Sequence, residues 1–562
     1  MPATLSRRSF FNLLTPASGG NGKQPSRNGK RQFQPLSDPL QAFVPDANNP
    51  WNEYLAGHLL RRTMMAPTWS DIEALVKLGG PGPAVDLLLG ATSTPAAPLM
   101  ASDATENPYP LAQAAQQPIF GKWESDAAAL RAWWEGLQVT AANSIQEKMV
   151  AFWSGHFTSA FVTGDNEYVL APLLYIQNNL FRTFGNTQGG SQNGALGNFQ
   201  DLVKAVTLDG AMLVYLGGNV NVASAPNENY ARELMELFTC GINGGYSQAD
   251  VVAAARILTG WQVGQYTDDA APNGIFQSYF TPSLHDTGDK TYLETDFPAI
   301  DASTNTQHLV QVNEIDILVD TLFTQTSTTF QGVTTNTIAT YICTKLYKFF
   351  VYSDTDTSDP TEQTVISELA GIFIQNNWEI APVVSTLLKS QHFFDNANIG
   401  CQIKTPAEYV IGLARQIVPA DAQKSFAIDA DMTNDGEQFF QPPNVSGWPG
   451  YHDWLTTNTY PLRTSAQAQV LVSAMSAPDL QKFYQQFPAY NSDVTLLATH
   501  IGQLLLPRPL STARQTTFWQ TLAGGTDTTM WLNLVNADPE EAAANTQTLL
   551  QAIIALPDFQ LC

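Results

Sequence analysis

Three groups of polar residues are of types that can do chemistry. The densest spans Asn227 to Glu236, where Glu228, Arg232 and Glu236 recur at helical spacing with Asn229 and Glu233 beside them. The second is His285, Asp286 and Lys290, and the third is His156 alone. His156, Glu233, Glu236 and His285 are the ligand types of a hard or borderline divalent metal. Glu228, Glu233 and Glu236, with Arg232, His285 and Asp286, are candidates for carboxylate-based acid–base catalysis, which needs environments that split their pKa values. Asn227, Asn229, Lys290 and Trp448 are candidate binding residues. Each group also has an ordinary reading. Glu228, Arg232 and Glu236 match a solvent-side ion-pair ladder. His156, set among Phe152, Trp153 and Phe157, matches a satisfied core histidine. A loop around 280–290 can be held by Asx-turns and caps. Trp448 can plug a helix end.

These residues must be positioned by helices. Pro226 and Asn227 open a helix that Gly241 closes, so the spacing predicts one continuous helix over Asn227–Cys240. Its apolar face is Tyr230, Ala231, Leu234, Leu237 and Phe238. Gly244, Gly245 and Tyr246 make a turn. Ser247 and Asp250 have capping-box spacing for a second helix ending at Thr259-Gly260-Trp261. Helical periods recur at 70–78 with Ser70 as N-cap, then at 143–158, 168–184, 199–216, 308–323, 336–350 and 406–417. More follow through the C-terminal tail. Strand alternation is scarce. The fold class predicted is all-α, an irregular multi-helix globular fold with one small β-ribbon near 274–293. No repeat of 20–50 residues points to a solenoid. The expected division is a disordered basic segment over 1–45, a helical core over 46–463 and a helical C-terminal segment over 464–562.

Composition excludes several classes. The chain has 562 residues, with 27 Lys+Arg against 51 Asp+Glu and a formal net charge of −24. A body this acidic does not suit nucleic acid or an anionic membrane surface. Only 14% of residues are charged, against about 25% in ordinary soluble proteins. No run is long and apolar enough to span a bilayer, so no transmembrane segment is expected. The four cysteines, Cys240, Cys343, Cys401 and Cys562, form no C-x-x-C pair, which argues against a structural zinc site. Walker loops, dinucleotide fingerprints, G-x-S-x-G and H-E-x-x-H are absent. Near the start, Ser6-Arg7-Arg8-Ser9-Phe10 has the form of a twin-arginine export motif. The apolar stretch of about 7–15 residues that such a signal needs does not follow it.

Several blocks together resemble one bacterial family, the domain of unknown function numbered eighteen-hundred. They are Pro226 to Gly241, Gly245 to Val251, and Leu258-Thr-Gly-Trp261. Further matching blocks are Glu147-Lys-Met through His156-Phe157, Phe280 through His285-Asp286 to Lys290, Lys404-Thr-Pro-Ala-Glu408, and Pro442-Pro-Asn-Val-Ser-Gly-Trp-Pro449. The resemblance runs from about residue 50 to the end, with Gly155 departing from the usual polar residue before the histidine. It implies an exported protein, periplasmic or extracellular, of unassigned activity. It also implies a genetic neighbour, a second exported protein of the domain-of-unknown-function fifteen-oh-one type. The missing apolar stretch keeps a cytoplasmic location open. Two functions follow as expectations. One is a cell-envelope enzyme or metal protein, a divalent metal being the cofactor considered, with its polar site on helix 227–240. The other is a non-enzymatic assembly or binding protein working in a complex with the second exported protein.

Overall fold

The computed structural model of the chain describes residues 33, 38–98, 123–162, 169–184, 194–264, 276–300, 307–325, 327–330, 333–355, 359–418 and 428–562. The segment carrying Arg7 and Arg8, and most of the loops expected over 91–122 and 185–198, lie outside these residues. The fold is mainly helical with a few short strands, as the periods predict. No helix among the described residues is long and apolar enough to cross a membrane.

Asn, Asp, Ser and Thr are placed at helix starts, where a side-chain oxygen satisfies a backbone N–H that the helix leaves free. Asn52, Asn198, Asp209, Asn336, Asp359 and Asp493 all cap in this way. Thr68, Ser247, Thr405 and Ser476 form full capping boxes. Each cap stabilises its helix by about 1 kcal/mol. Thr68, not Ser70 as the spacing predicts, is the N-cap of Trp69–Val76. The segment 199–216 is two helices, Phe199–Thr207 and Gly210–Tyr215, because Asp209 caps a fresh start. The helix expected over Asn227–Cys240 is regular only over Glu228–Glu236. Beyond Glu236 the chain opens into a wider turn, in which the Phe238 N–H reaches the Glu233 carbonyl and the Cys240 N–H reaches that of Met235.

One apolar cluster runs from Ala56 to Phe559, and the tail helices contribute to it. Helix Val494–Leu505, for example, buries Leu497, Ile501 and Leu504. Among the described residues the β-structure is three two-stranded antiparallel ribbons where the sequence pattern predicts one. Trp261–Val263 pairs with Ser278–Phe280, Lys290–Tyr292 with Thr295–Phe297, and Ser327–Phe330 with Val333–Asn336. Gly260, at φ +91°, makes the first pairing possible: a Cβ there would meet the Phe280 ring at 2.6 Å. None of the four cysteines, three of them buried, is joined in a disulfide among the described residues.

Candidate functional site

The polar face of Glu228–Glu236 is largely a solvent ladder. Arg232 Nη2 donates to Glu228 Oε2 at 3.1 Å, with both side chains about two-fifths exposed. Gln248 joins the pair, giving its amide to Glu228 at 2.7 Å and accepting from Arg232 at 2.9 Å. Asn227 and Asn229 are tied to backbone. The Asn227 amide donates to the Gly217 carbonyl and that of Asn229 to the Leu216 carbonyl, pinning the preceding turn to the helix start. Glu233 is half-buried. Burial first, then the charge of Glu236, raise its pKa, while Arg232 opposes them.

The second group packs elsewhere. Asp286 faces helix Gln248–Ile257, where Arg256 holds it in a two-pronged pair at 2.7 and 3.1 Å. That bond, acting against burial, keeps the Asp286 carboxyl below its ordinary range. Lys290 Nζ lies 3.1 Å from Glu314 Oε1 on helix Gln307–Gln325. His285 Nε2 lies 2.9 Å from Glu314 Oε2, off the axis an aligned N–H bond would follow. His285 Nδ1 is 2.9 Å from the Thr259 carbonyl. The 280–290 loop is therefore stapled to Arg256 and Glu314. His285 and Asp286, candidates for one catalytic set with Glu233 and Glu236, have Glu314 and Arg256 as their charged partners instead. Among the described residues no three His, Cys, Asp or Glu side chains converge as a metal set. The four metal candidates, His156, Glu233, Glu236 and His285, are not brought together.

His156 leads to a different place. It ends helix Gln146–His156 and is buried among Phe152, Trp153, Phe157, Phe199 and Phe238. Its Nε2 lies 2.9 Å from the Phe238 carbonyl, so that nitrogen carries the proton. Nδ1 is then an acceptor, and Lys345 Nζ donates to it at 3.0 Å. Burial, reinforced by the Lys345 charge, pushes the His156 pKa well below 6.5. The Leu237 carbonyl stands 3.4 Å from the same Nζ and accepts from the Tyr341 hydroxyl at 2.9 Å. The 228–238 block thus serves this site with two backbone carbonyls from its C-terminal end, where the helix dipole favours a cation.

His156 and Lys345 line a cavity of about 270 Å³. Stretches far apart in sequence wall it, Met65 and Trp134 among the contributors. From helix Gln146–His156 come Lys148, Phe152 and Gly155. From helix Thr337–Phe350 come Lys345, Lys348 and Phe349, three or four residues apart and so on one face. Thr405, Ala407 and Glu408 come from the start of helix Pro406–Ile417, and Glu437, Trp448, Tyr451 and Trp454 from the stretch after it. Glu408 does two things at once. Its Oε2 accepts the Thr405 N–H at 2.8 Å, closing the capping box, and its Oε1 pairs with Lys148. Burial works against ionisation of Glu408, but Lys148 and Arg62 overcome it and hold the pKa low. Lys148 also lies 5.3 Å from the centre of the Phe349 ring.

The 442–454 loop is fixed by close approach. Gly447, at φ +85°, rests on Gly155, where a Cβ would sit 2.8 Å from the Gly155 carbonyl oxygen. Thr158 Oγ1 donates to the Val445 carbonyl. Tyr451 holds a left-handed φ of 48°, a strain of roughly 1–3 kcal/mol that surrounding bonds must offset. Its hydroxyl lies 3.1 Å from that of Tyr352 and 3.3 Å from the Cys401 carbonyl. Trp448, half-buried, is a wall of this cavity.

Two cavity groups have pKa values moved toward neutrality. Burial, aided by the Lys348 charge, lowers Lys345 to about 8. Burial raises Glu437 to about 7, against the Ala407 N–H that its Oε2 accepts at 2.9 Å. Sequence reasoning singles out neither. The one trace of Lys345 is a cation recurring at i+3 within the otherwise apolar run Ile338–Phe350.

The match to known proteins covers this whole assembly. The model of a family described as a protein of unknown function (DUF1800) matches residues 58–561. The chain belongs to the DUF1800 family. No curated protein and no solved structure matches it. The matched span contains every wall of the cavity, so the cavity is built from DUF1800 sequence throughout.

Proposed function

We propose that the protein binds a small, apolar-bodied anion in the 270 Å³ cavity and performs proton-transfer chemistry on it. The observation that carries this reading is geometric: Lys345, held at 3.0 Å by His156 Nδ1, and Glu437, held at 2.9 Å by the Ala407 N–H, line one cavity, where burial moves the amine to about 8 and the carboxyl to about 7. Groups displaced in opposite directions toward working pH are how a site holds a base and an acid together. Lys345, hydrogen-bonded to neutral His156, is the proton-accepting side, and Glu437 the donor. Lys348 on the exposed rim supplies a cation for the anion, in a chain whose net charge is −24. Phe349, Trp448 and Tyr451 receive the apolar body.

A carboxylate enzyme or metal site on 228–236 has weaker support, since Glu228 and Arg232 lie in solvent and the metal candidates are dispersed. The test is a thermal-shift screen of aromatic and alkyl carboxylates, 4-methylbenzoate among them. The expected result is a concentration-dependent rise in Tm that Lys348→Met removes. No shift with any carboxylate, or an equal shift in the variant, would overturn the reading.

A further inference from the structure

We infer that Lys345 forms a reversible imine with the carbonyl carbon of an apolar aldehyde or ketone seated in the cavity, an inference that rests on the cavity being the binding site. The lysines of this region are held in different ways. Lys148, on the same cavity, is paired with the Glu408 carboxylate, and Lys348 stands on the exposed rim. Lys345 has no carboxylate partner among the described residues. Its contacts are His156 Nδ1, the Leu237 carbonyl and the face of Tyr341, whose centre is 4.9 Å away. A lysine in apolar surroundings beside a second cation is the arrangement that frees an amine for attack on carbonyls. Its pKa of about 8 agrees with that geometry.

The neighbours needed for the step are present. His156 presents a lone pair to Nζ because its other nitrogen is committed to Phe238. Free Nζ attacks the carbonyl carbon, the C–N bond forms and the C=O π pair moves to oxygen. A proton leaves nitrogen through His156 Nδ1 and reaches that oxygen, giving a carbinolamine. Glu437 then protonates the hydroxyl, the C–O bond breaks, water departs, and the nitrogen lone pair completes C=N. The imine proton returns to Glu437. The sum is amine plus carbonyl giving imine plus water, with no change of oxidation state.

The experiment treats the full chain at pH near 7.5 with 4-carboxybenzaldehyde and sodium cyanoborohydride, then maps labelled lysines by peptide mass. Lys345 is expected to label at least about tenfold faster than exposed Lys77, because the cavity holds the aldehyde beside its amine. Excess 4-methylbenzoate, which cannot form an imine, should suppress the label. Lys345→Arg should take no label there, while exposed Lys77 labels in it as in the native chain. Unlabelled Lys345 with 4-methylbenzoate binding intact would overturn the imine and leave the cavity reading standing. Unlabelled Lys345 with no 4-methylbenzoate binding would overturn both.

Discussion

Among single residues, the clearest consequence concerns Glu437. Burial lifts its folded pKa to about 7, while in the unfolded chain the carboxyl returns to about 4.3. The folded state therefore holds the proton more tightly. The stability this contributes is fully present below the unfolded value and is lost as pH rises through about 7. A tenfold difference in proton affinity between the two states is worth about 1.4 kcal/mol, so the loss between pH 5 and pH 8 is on the order of 2–3 kcal/mol. Glu437→Gln keeps the acceptor for the Ala407 N–H and removes the titration. Denaturant unfolding at pH 5, 6, 7 and 8 should show the variant gaining on the native chain by that amount across the series. Parallel curves would return Glu437 to an ordinary carboxyl. Neither Glu437 nor Lys345 is legible in the sequence. Desolvation comes from the elements packed around a group, and neither residue type nor spacing encodes it. His156 is legible as an aromatic-helix histidine. That its partner is a lysine 189 positions away is not.

For whole elements, helical period marks which segments are helical but says little of what their polar faces meet. The blocks around 228–236 and 285–290 read in sequence as candidates for one catalytic set. The loop instead crosses to Arg256 and Glu314. Spacing along one helix fixes which residues share a face, but not which helix a later loop will choose. The coupling therefore belongs to Glu314. Removing its carboxylate strands buried Lys290, at a cost of about 3–5 kcal/mol, so Glu314→Ala should be severely destabilised in urea. Glu228→Ala, whose partner is solvent-exposed, should cost no more than about 1 kcal/mol. A double-mutant cycle should find His285 coupled to Glu314 and additive with Glu233. Strong coupling of His285 to Glu233 would restore the single set.

Across the whole molecule, fold class and family membership are readable, because helical period and motif order survive in one sequence. The cavity is not, because its walls, from Met65 to Trp454, come from stretches far apart in the chain that only the closed fold assembles. The motifs nevertheless converge on it. The blocks ending at His156, at Glu408 and around Trp448 are its walls, and the 228–238 block lends it carbonyls. Location is a separate proposal. We propose that the chain works outside the cytoplasm and is carried across, already folded, by a partner with a complete twin-arginine signal, because Arg7-Arg8 lacks the apolar stretch that should follow. Expressed alone, the chain should stay in the cytoplasmic fraction, and quantitative export without a partner would count against the proposal.

If function resides in the cavity and not on the exposed face of Glu228–Glu236, the two places must respond differently to ligand. Calorimetric titration of 4-methylbenzoate into the native chain, Trp448→Ala and Glu233→Ala separates them. Loss of one cavity wall should weaken binding by at least about tenfold, the equivalent of 1.4 kcal/mol, while Glu233→Ala binds as the native chain does. Binding lost in Glu233→Ala and intact in Trp448→Ala would refute the cavity and move the site back to the helix.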